Sequence, residues 1–123
     1  MFRLCLLLLL LLVPCSASGG SALPADRPLR VVMDNTYPPY VFLDSRGVPQ
    51  GILPDQWRLW QERTGVRVEI TALDWQDALA AMRAGRHDVL DTAFRTEERD
   101  QWLEFGRPYA RIEVAAFFAS EIG

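Results

Sequence analysis

The segment GRHDVLDTAFRTEER, residues 85–99, carries most of the information about the fold of this chain. It predicts a helix end at Gly85, a short buried strand over Asp88–Leu90, a loop, and a new helix with Arg99 in its first turn. Thr96 is expected to cap that helix. The free N–H groups of a helix start, the helix dipole and a guanidinium together favour an anion, most simply a carboxylate. The segment therefore predicts a binder of small charged solutes.

The first 25 residues predict a secretory signal peptide. A short cationic start is followed by the apolar run 4–13, whose length of about ten residues is too short for a bilayer that needs about twenty. Several alanines between positions 17 and 25 fit a cleavage site. Lipid attachment at Cys15 is the less favoured alternative because Pro14 precedes it. We expect residues 26–123 to form the folded domain.

Cysteine usage points to the bacterial periplasm. Cys5 and Cys15 are the two cysteines of the chain, and both lie in the predicted leader. The mature protein then has no disulfide, no thiol nucleophile and no zinc–thiolate site. Export without disulfides fits a periplasmic protein better than a small secreted eukaryotic domain.

The charge distribution argues against nucleic-acid binding. Thirteen residues are positively charged, all of them arginine, and the formal net charge is −3. The arginines are interspersed with acidic residues, whereas a nucleic-acid interface needs a clustered basic face. No phosphate loop, dinucleotide fingerprint or HExxH metal motif is present, so no cofactor is expected.

Strands are predicted to alternate with helices along the rest of the chain. Asp74 is expected to start the clearest helix, because apolar residues follow it at helical spacing and Gly85 ends it. Such an alternation favours a mostly parallel sheet with helices on its faces. The further predicted elements are strands over 29–33, 40–43, 48–51 and 66–70, a helix over 54–64, a short helix from 96 to about 102, and a last strand over Arg111–Phe118.

The order of the motifs resembles family 3 of the bacterial extracellular solute-binding proteins, the periplasmic receptors for polar amino acids. The resemblance covers Leu29 to Phe118. It implies an α/β, periplasmic-binding-protein-like (type II) lobe, here the N-terminal lobe of a truncated receptor with its second lobe missing. The motifs are Asp34, Tyr37-Pro38-Pro39-Tyr40, Gly51-Ile52-Leu53-Pro54-Asp55, Asp74-Trp75, Gly85-x-x-Asp88, Thr96-Glu97-Glu98-Arg99 and Phe105-Gly106-Arg107-Pro108-Tyr109.

The resemblance also implies roles for individual residues. Arg99 matches the arginine that holds the ligand's carboxylate, and Asp34 matches an acid near its ammonium group. The resemblance implies an aromatic wall at Tyr37, an apolar contact at Trp75 and a cleft-lining hydroxyl residue at Thr92. One departure is Phe94, where amino-acid binders keep a small hydroxyl residue, so an α-amino acid is a less secure ligand than a carboxylate in general.

Purely structural interpretations are an alternative for several of these residues. Asp34 could merely cap a turn, and Arg99 could pair with a neighbouring acid on a wet surface, which contributes little stability. Trp57, Trp60 and Trp102 are expected in the core. His87, the single histidine, is expected to be a solvated turn residue.

The function implied by the resemblance is non-catalytic binding of a polar or carboxylate-bearing solute in the periplasm. The partner would be a membrane permease or a fused sensor kinase or cyclase, and the segments 55–60 and 91–96 favour the sensors. Alternatives are an accessory domain or relative of an enzyme on this fold, a dehydratase or lytic transglycosylase, and a non-functional gene fragment. Because closure needs two lobes, we expect negligible affinity from one lobe alone.

Overall fold

A computed structural model of the protein describes residues 26–113 and 115–117. The predicted signal peptide lies outside the described residues. In chain order the described elements are β1 (Leu29–Asp34), β2 (Thr36–Tyr37), β3 (Val41–Leu43), β4 (Pro49–Gln50), α1 (Ile52–Thr64), β5 (Val68–Leu73), α2 (Trp75–Arg83), β6 (Val89–Leu90) and α3 (Glu97–Asp100).

The main sheet has β1 at its centre, with β5 on one side and β6 on the other. Both pairings are parallel, with Leu29 opposite Val68 and Val31 opposite Val89. The predicted parallel sheet with helices is thus confirmed. A parallel strand between two neighbours is buried on both faces and needs a continuous apolar run. The run Val31–Met33 meets this need and is fully buried.

A second, antiparallel sheet is formed by β2, β3 and β4. Thr36 and Tyr37 pair with Phe42 and Val41 and so form β2, a strand that is not among the predicted elements. The bond between Pro38 and Pro39 is cis. This small sheet leads the chain from the end of β1 into α1.

Gly51 lies at the start of α1, which begins two residues earlier than predicted. Its φ is +118°, and a Cβ there would come within 2.5 Å of the Tyr40 carbonyl oxygen. Only glycine fits such a close approach of two backbone segments. At the other end, Gly65 directly follows the predicted helix over 54–64; it adopts a left-handed conformation and its N–H donates to the carbonyl of Gln61.

Helix α2 starts and ends where the sequence predicts. Asp74 precedes it as the N-cap residue, and Gly85 follows its end with a φ of +68°. The Asp74 carboxylate, however, accepts a hydrogen bond from the Asn35 amide at 3.0 Å and none from the helix N–H groups. Asp74 therefore links the start of α2 to the end of β1.

The predicted last strand over Arg111–Phe118 is wrong for the residues that the structure describes. Residues 111–113 and 115–117 have no strand conformation, and most of their side chains are exposed. A strand needs a neighbour that pairs with its N–H and carbonyl groups. Within the described part of the chain, no pairing partner lies beside this segment.

Candidate functional site

The carboxyl ends of the three parallel strands carry most of the predicted site residues. Because the strands are parallel, they end at one edge of the sheet, where open α/β sheets bind their ligands. β1 ends at Asp34, Trp75 follows two residues after β5, and Thr92 follows two residues after β6. The sheet topology thus gathers these segments at one edge.

Arg99 lies in α3 and its guanidinium is held in place by two contacts. Nη1 donates to the carbonyl oxygen of Phe94 at 2.8 Å, and the guanidinium carbon lies 5.0 Å from the centre of the Trp75 ring. Arg99 is half-buried. Among residues 26–113 and 115–117, six ion pairs join an arginine to an acidic side chain, and Arg99 takes part in none of them. Its positive charge is therefore oriented by the protein without being matched by a carboxylate there.

Helix α3 contributes less to an anion site than the sequence suggests. It has four residues, and Thr96 is its N-cap, as predicted. The Thr96 hydroxyl oxygen already accepts the backbone N–H of Arg99 at 3.2 Å. The dipole of so short a helix is small because few peptide units are aligned. The guanidinium, and not the helix end, is the main attraction for an anion.

Trp75 and Arg99 line one cavity together, which lies between α2 and α3 and has a volume of about 340 Å³. We call it the α2–α3 cavity. Arg83, also on its wall, forms an ion pair with Glu98 at 2.8 Å and lies 4.4 Å above the Trp102 ring. The volume is at the lower end of the range for small-molecule sites. The remaining lining residues are Gln76, Leu79 and Ala80.

Tyr37 and Thr92 line a second, larger cavity of about 780 Å³. We call it the aromatic cavity, because its wall includes Tyr37, Tyr40, Trp57, Trp60, Phe94, Phe105 and Tyr109. Tyr37 stacks on Tyr40 with ring centres 5.3 Å apart, and both pack against the core. The predicted site residues are therefore divided between two cavities.

Asp34 lines neither of the two cavities. Its Oδ1 accepts hydrogen bonds from the backbone N–H of Thr36 at 3.0 Å and from the Thr36 hydroxyl at 3.1 Å. This is an Asx-type turn, in which an aspartate satisfies the backbone two residues further on. The geometry fits the turn-capping interpretation of Asp34, and its role toward a ligand stays a prediction.

Asp91 is a residue that sequence reasoning missed. Its side chain is the buried charged group of the described core, with 8% of the residue exposed. The carboxylate accepts hydrogen bonds from Trp57 Nε1 at 2.8 Å, from the Tyr109 hydroxyl at 2.5 Å and from the backbone N–H of Thr92 at 2.7 Å. A charged residue directly after a buried strand was the available signal. Trp57 packs against the core as predicted, yet its indole N–H serves this carboxylate.

The described residues contain neither a candidate membrane span nor a candidate metal site. None of the helices in the described ranges is long and apolar enough to cross a membrane. In the same part of the chain, no three histidine, cysteine or acidic side chains are grouped so that they could hold a metal ion.

The family model for bacterial extracellular solute-binding proteins, family 3, matches residues 29–121. The chain belongs to this family. The match runs from β1 past α3 and includes all five predicted site residues. The resemblance seen in the sequence motifs is thus confirmed for the family as a whole.

Two curated relatives illustrate what members of the family do. The virulence sensor protein BvgS of Bordetella pertussis is 32% identical over 89 residues, which are 71% of this chain and 7% of BvgS. The octopine-binding periplasmic protein of Rhizobium meliloti is 25% identical over 92 residues, 74% of this chain and 31% of that protein. The chain therefore spans less than a third of the length of either relative.

Solved structures with the same fold include a sensor domain, a binding domain and an enzyme ancestor. A histidine kinase sensor domain is 35% identical and covers 61% of this chain and 33% of its own, with a TM-score of 0.57. Domain 1 of the protein TmArgBP, in an arginine-bound form, is 26% identical over 67% of this chain and 64% of its own, with a TM-score of 0.58. An ancestral cyclohexadienyl dehydratase is also 26% identical, over 68% of this chain and 35% of its own, with a TM-score of 0.58.

Proposed function

We propose that this chain is the N-terminal lobe of a periplasmic receptor that binds a small carboxylate-bearing solute without chemical conversion. Arg99 holds the carboxylate, and Trp75 covers one face of the same guanidinium. Residues 1–25 act as the signal peptide that exports it. The observation that carries the proposal is the unmatched but oriented charge of Arg99.

The contacts of Arg99 leave it free to bind an anion. A guanidinium has five N–H donors in a planar fork, and the Phe94 carbonyl accepts from Nη1 alone. The Trp75 ring lies 5.0 Å from the guanidinium carbon and contributes a cation–π contact, which adds no carboxylate or carbonyl acceptor. An arginine held in this way can give a carboxylate two parallel hydrogen bonds.

The position of Phe94 supports a carboxylate ligand in general over an α-amino acid in particular. Phe94 contributes its carbonyl oxygen to Arg99, while the residue is 54% exposed. A phenyl ring has no hydrogen-bond donor for a ligand amine or carboxylate. Asp34, the acid expected near an ammonium group, uses its Oδ1 to accept both hydrogen bonds from Thr36. Both observations favour recognition through the carboxylate.

Two relatives support a sensing role, since the sensor protein and the sensor domain are 32% and 35% identical to this chain. An ancestral arginine-binding protein is also 32% identical, which supports a transport receptor as the alternative. We propose that the lobe belongs to the input domain of a sensor kinase or cyclase, with a permease-coupled receptor as the alternative partner.

The test is a titration of the chain with L-arginine, L-glutamine, succinate and acetate, followed by NMR. Because a single lobe leaves a ligand half hydrated, we expect millimolar affinity at best, about −4 kcal/mol. Signals of Arg99 and the Trp75 indole should shift. The Arg99→Ala variant should lose the response. Arg67→Ala is the matched control, because Arg67 is exposed and precedes β5, at the opposite edge of the sheet.

Two outcomes would contradict the proposed role of Arg99 or the expectation that one lobe alone binds weakly. Equal shifts in wild type and Arg99→Ala would remove Arg99 from the site. Micromolar binding by the chain alone would contradict the need for a second lobe. The arginine-bound form of domain 1 from TmArgBP is the reason to measure it.

A dehydratase relative is the second candidate, and the similarity to the ancestral cyclohexadienyl dehydratase favours it. A dehydratase needs a general acid with a pKa near neutrality that faces the substrate. Incubation of the chain with a cyclohexadienyl carboxylate, with product formation followed by ultraviolet absorbance, distinguishes the two. If the chain forms product and the Arg99→Ala variant does not, catalysis replaces non-catalytic binding as the function of the site.

A further inference from the structure

Asp91 is a buried carboxylate held by three donors from three parts of the chain. Trp57 belongs to α1, Thr92 to the loop after β6, and Tyr109 to the segment that follows α3. Burying a charge costs free energy unless hydrogen bonds compensate it. Packing alone would therefore favour an apolar residue at this position. The family match and the proposed site assign it no role.

The residue next to Asp91 has a strained backbone. Thr92 has a φ of +67°, which is a rare conformation for a β-branched residue. Two hydrogen bonds to Asp91 hold it there: the Thr92 N–H donates to Asp91 Oδ1 at 2.7 Å, and the Thr92 hydroxyl donates to the Asp91 carbonyl oxygen. Strain of this kind persists only where the surroundings enforce it, and it is concentrated at functional sites.

The direction of the loop after Thr92 determines where Arg99 is held. A left-handed residue reverses the local course of the chain, so the conformation at Thr92 sets the path of residues 93 and 94. The Phe94 carbonyl at the end of this path is the acceptor for Arg99 Nη1 at 2.8 Å. A change at Asp91 therefore reaches Arg99 through two residues of backbone and one hydrogen bond.

We propose that Asp91 is a positioning residue that fixes the loop over 92–95 and so orients the Arg99 guanidinium toward its anion. Trp57 and Tyr109 in turn hold the Asp91 carboxylate in one orientation. The effect on solute binding rests on the proposed function, whereas the effect on Arg99 itself does not. The same contact ties the anion-binding loop to the segment around Tyr109.

The test compares Asp91→Asn and Asp91→Ala with wild type by phenylglyoxal modification and peptide mapping. Release of Arg99 from Phe94 and Trp75 should raise its modification rate at least threefold in Asp91→Ala and less in Asp91→Asn. Arg67 in the same digest is the internal reference. The control variant is Asp44→Asn, because Asp44 also accepts two backbone N–H groups, in the turn between β3 and β4.

A second measurement keeps the proposal testable if Asp91→Ala does not fold. Although 67% of Tyr109 is exposed, desolvation of its hydroxyl end, the hydrogen bond to Asp91 and the charge of Asp91 raise the pKa of Tyr109 above its ordinary value. Ultraviolet titration of Asp91→Asn should move this pKa toward the ordinary value, with Tyr109→Phe used to assign the transition. Unchanged Arg99 modification in a folded Asp91→Asn protein with an altered Tyr109 titration would overturn the positioning role.

The outcome for binding is separable from the outcome for positioning. If the four probe solutes bind wild type, Asp91→Ala should weaken their binding at least threefold and Asp44→Asn should not. Equal weakening by both variants would also overturn the proposal. If none of the probes binds wild type, the modification rates still decide the role of Asp91.

Discussion

The Arg99 guanidinium lies over the indole of Trp75, with its central carbon 5.0 Å from the ring centre. Trp75 is the first residue of α2, and Arg99 lies in α3, so the contact joins the two helices beside their shared cavity. The ring contributes a cation–π contact and leaves the positive charge without a carboxylate partner there.

Trp75→Ala should weaken the binding of succinate or L-glutamine roughly two- to fivefold, because a partly exposed cation–π contact contributes about 0.5–1 kcal/mol. NMR titration measures the change. Trp75→Phe keeps an aromatic face and should retain most of the affinity. Equal affinities for the alanine variant and wild type would show that the ring does not organise Arg99.

Gly51→Ala should destabilise the fold by more than about 3 kcal/mol, because the added Cβ would come within 2.5 Å of the Tyr40 carbonyl and within 2.8 Å of the Pro39 carbonyl at a strained φ. Gly47→Ala is the control, since its φ is also positive but no atom lies within 4 Å. It should cost about 1–2 kcal/mol. Urea unfolding measures both, and similar losses would contradict the steric argument.

Asp88→Asn should lower stability at neutral pH and have a smaller effect in acid. Arg27 and Arg30 donate to this carboxylate at 2.7–3.0 Å and hold its pKa well below the ordinary value. A depressed folded pKa contributes stability above the unfolded value near 3.9, and the contribution is lost as the pH falls below it. Urea unfolding at pH 7 and pH 3 tests this, and a difference between variant and wild type that stays constant would contradict it.

His87→Gln should reduce the loss of stability in mild acid. Burial, with the charges of Arg30 and Arg86, lowers the pKa of His87 below 6.5. The folded state then resists a proton that the unfolded state accepts, so stability is full above pH 6.5 and falls below it. Thermal unfolding between pH 7 and pH 5 tests this. Identical pH slopes for wild type and variant would exclude His87 as the cause.

The sequence predicted the elements whose signals are local. Gly65 and Gly85 end their helices, Asp74 precedes α2, and the parallel pairing follows from the alternation of strands and helices. The helix ends depend on residues close together in the chain, and the parallel pairing depends on the order of the elements. The sequence could not predict that the five site residues would separate into two cavities and a turn, because this depends on how α2 and α3 pack.

The contacts of Asp91 show why part of the site escaped prediction. Its donors Trp57 and Tyr109 lie 34 and 18 positions away in the chain. Each donor has an obvious local interpretation, as a core tryptophan and as part of a family motif. Local patterns give no information about a hydrogen bond across such separations. The prediction of a last strand over Arg111–Phe118 was wrong for a related reason. Its apolar residues require a neighbouring strand that the local sequence does not specify.

The order of strands in the main sheet also constrains when the molecule can fold. β1 is the first of the described strands to leave the ribosome, yet it occupies the middle of the sheet and finds its neighbours only at residues 68–73 and 89–90. Pairings over such distances are slow because a long loop must close first. The apolar β1 therefore stays uncovered until some sixty further residues have emerged, and during that time it is exposed to aggregation.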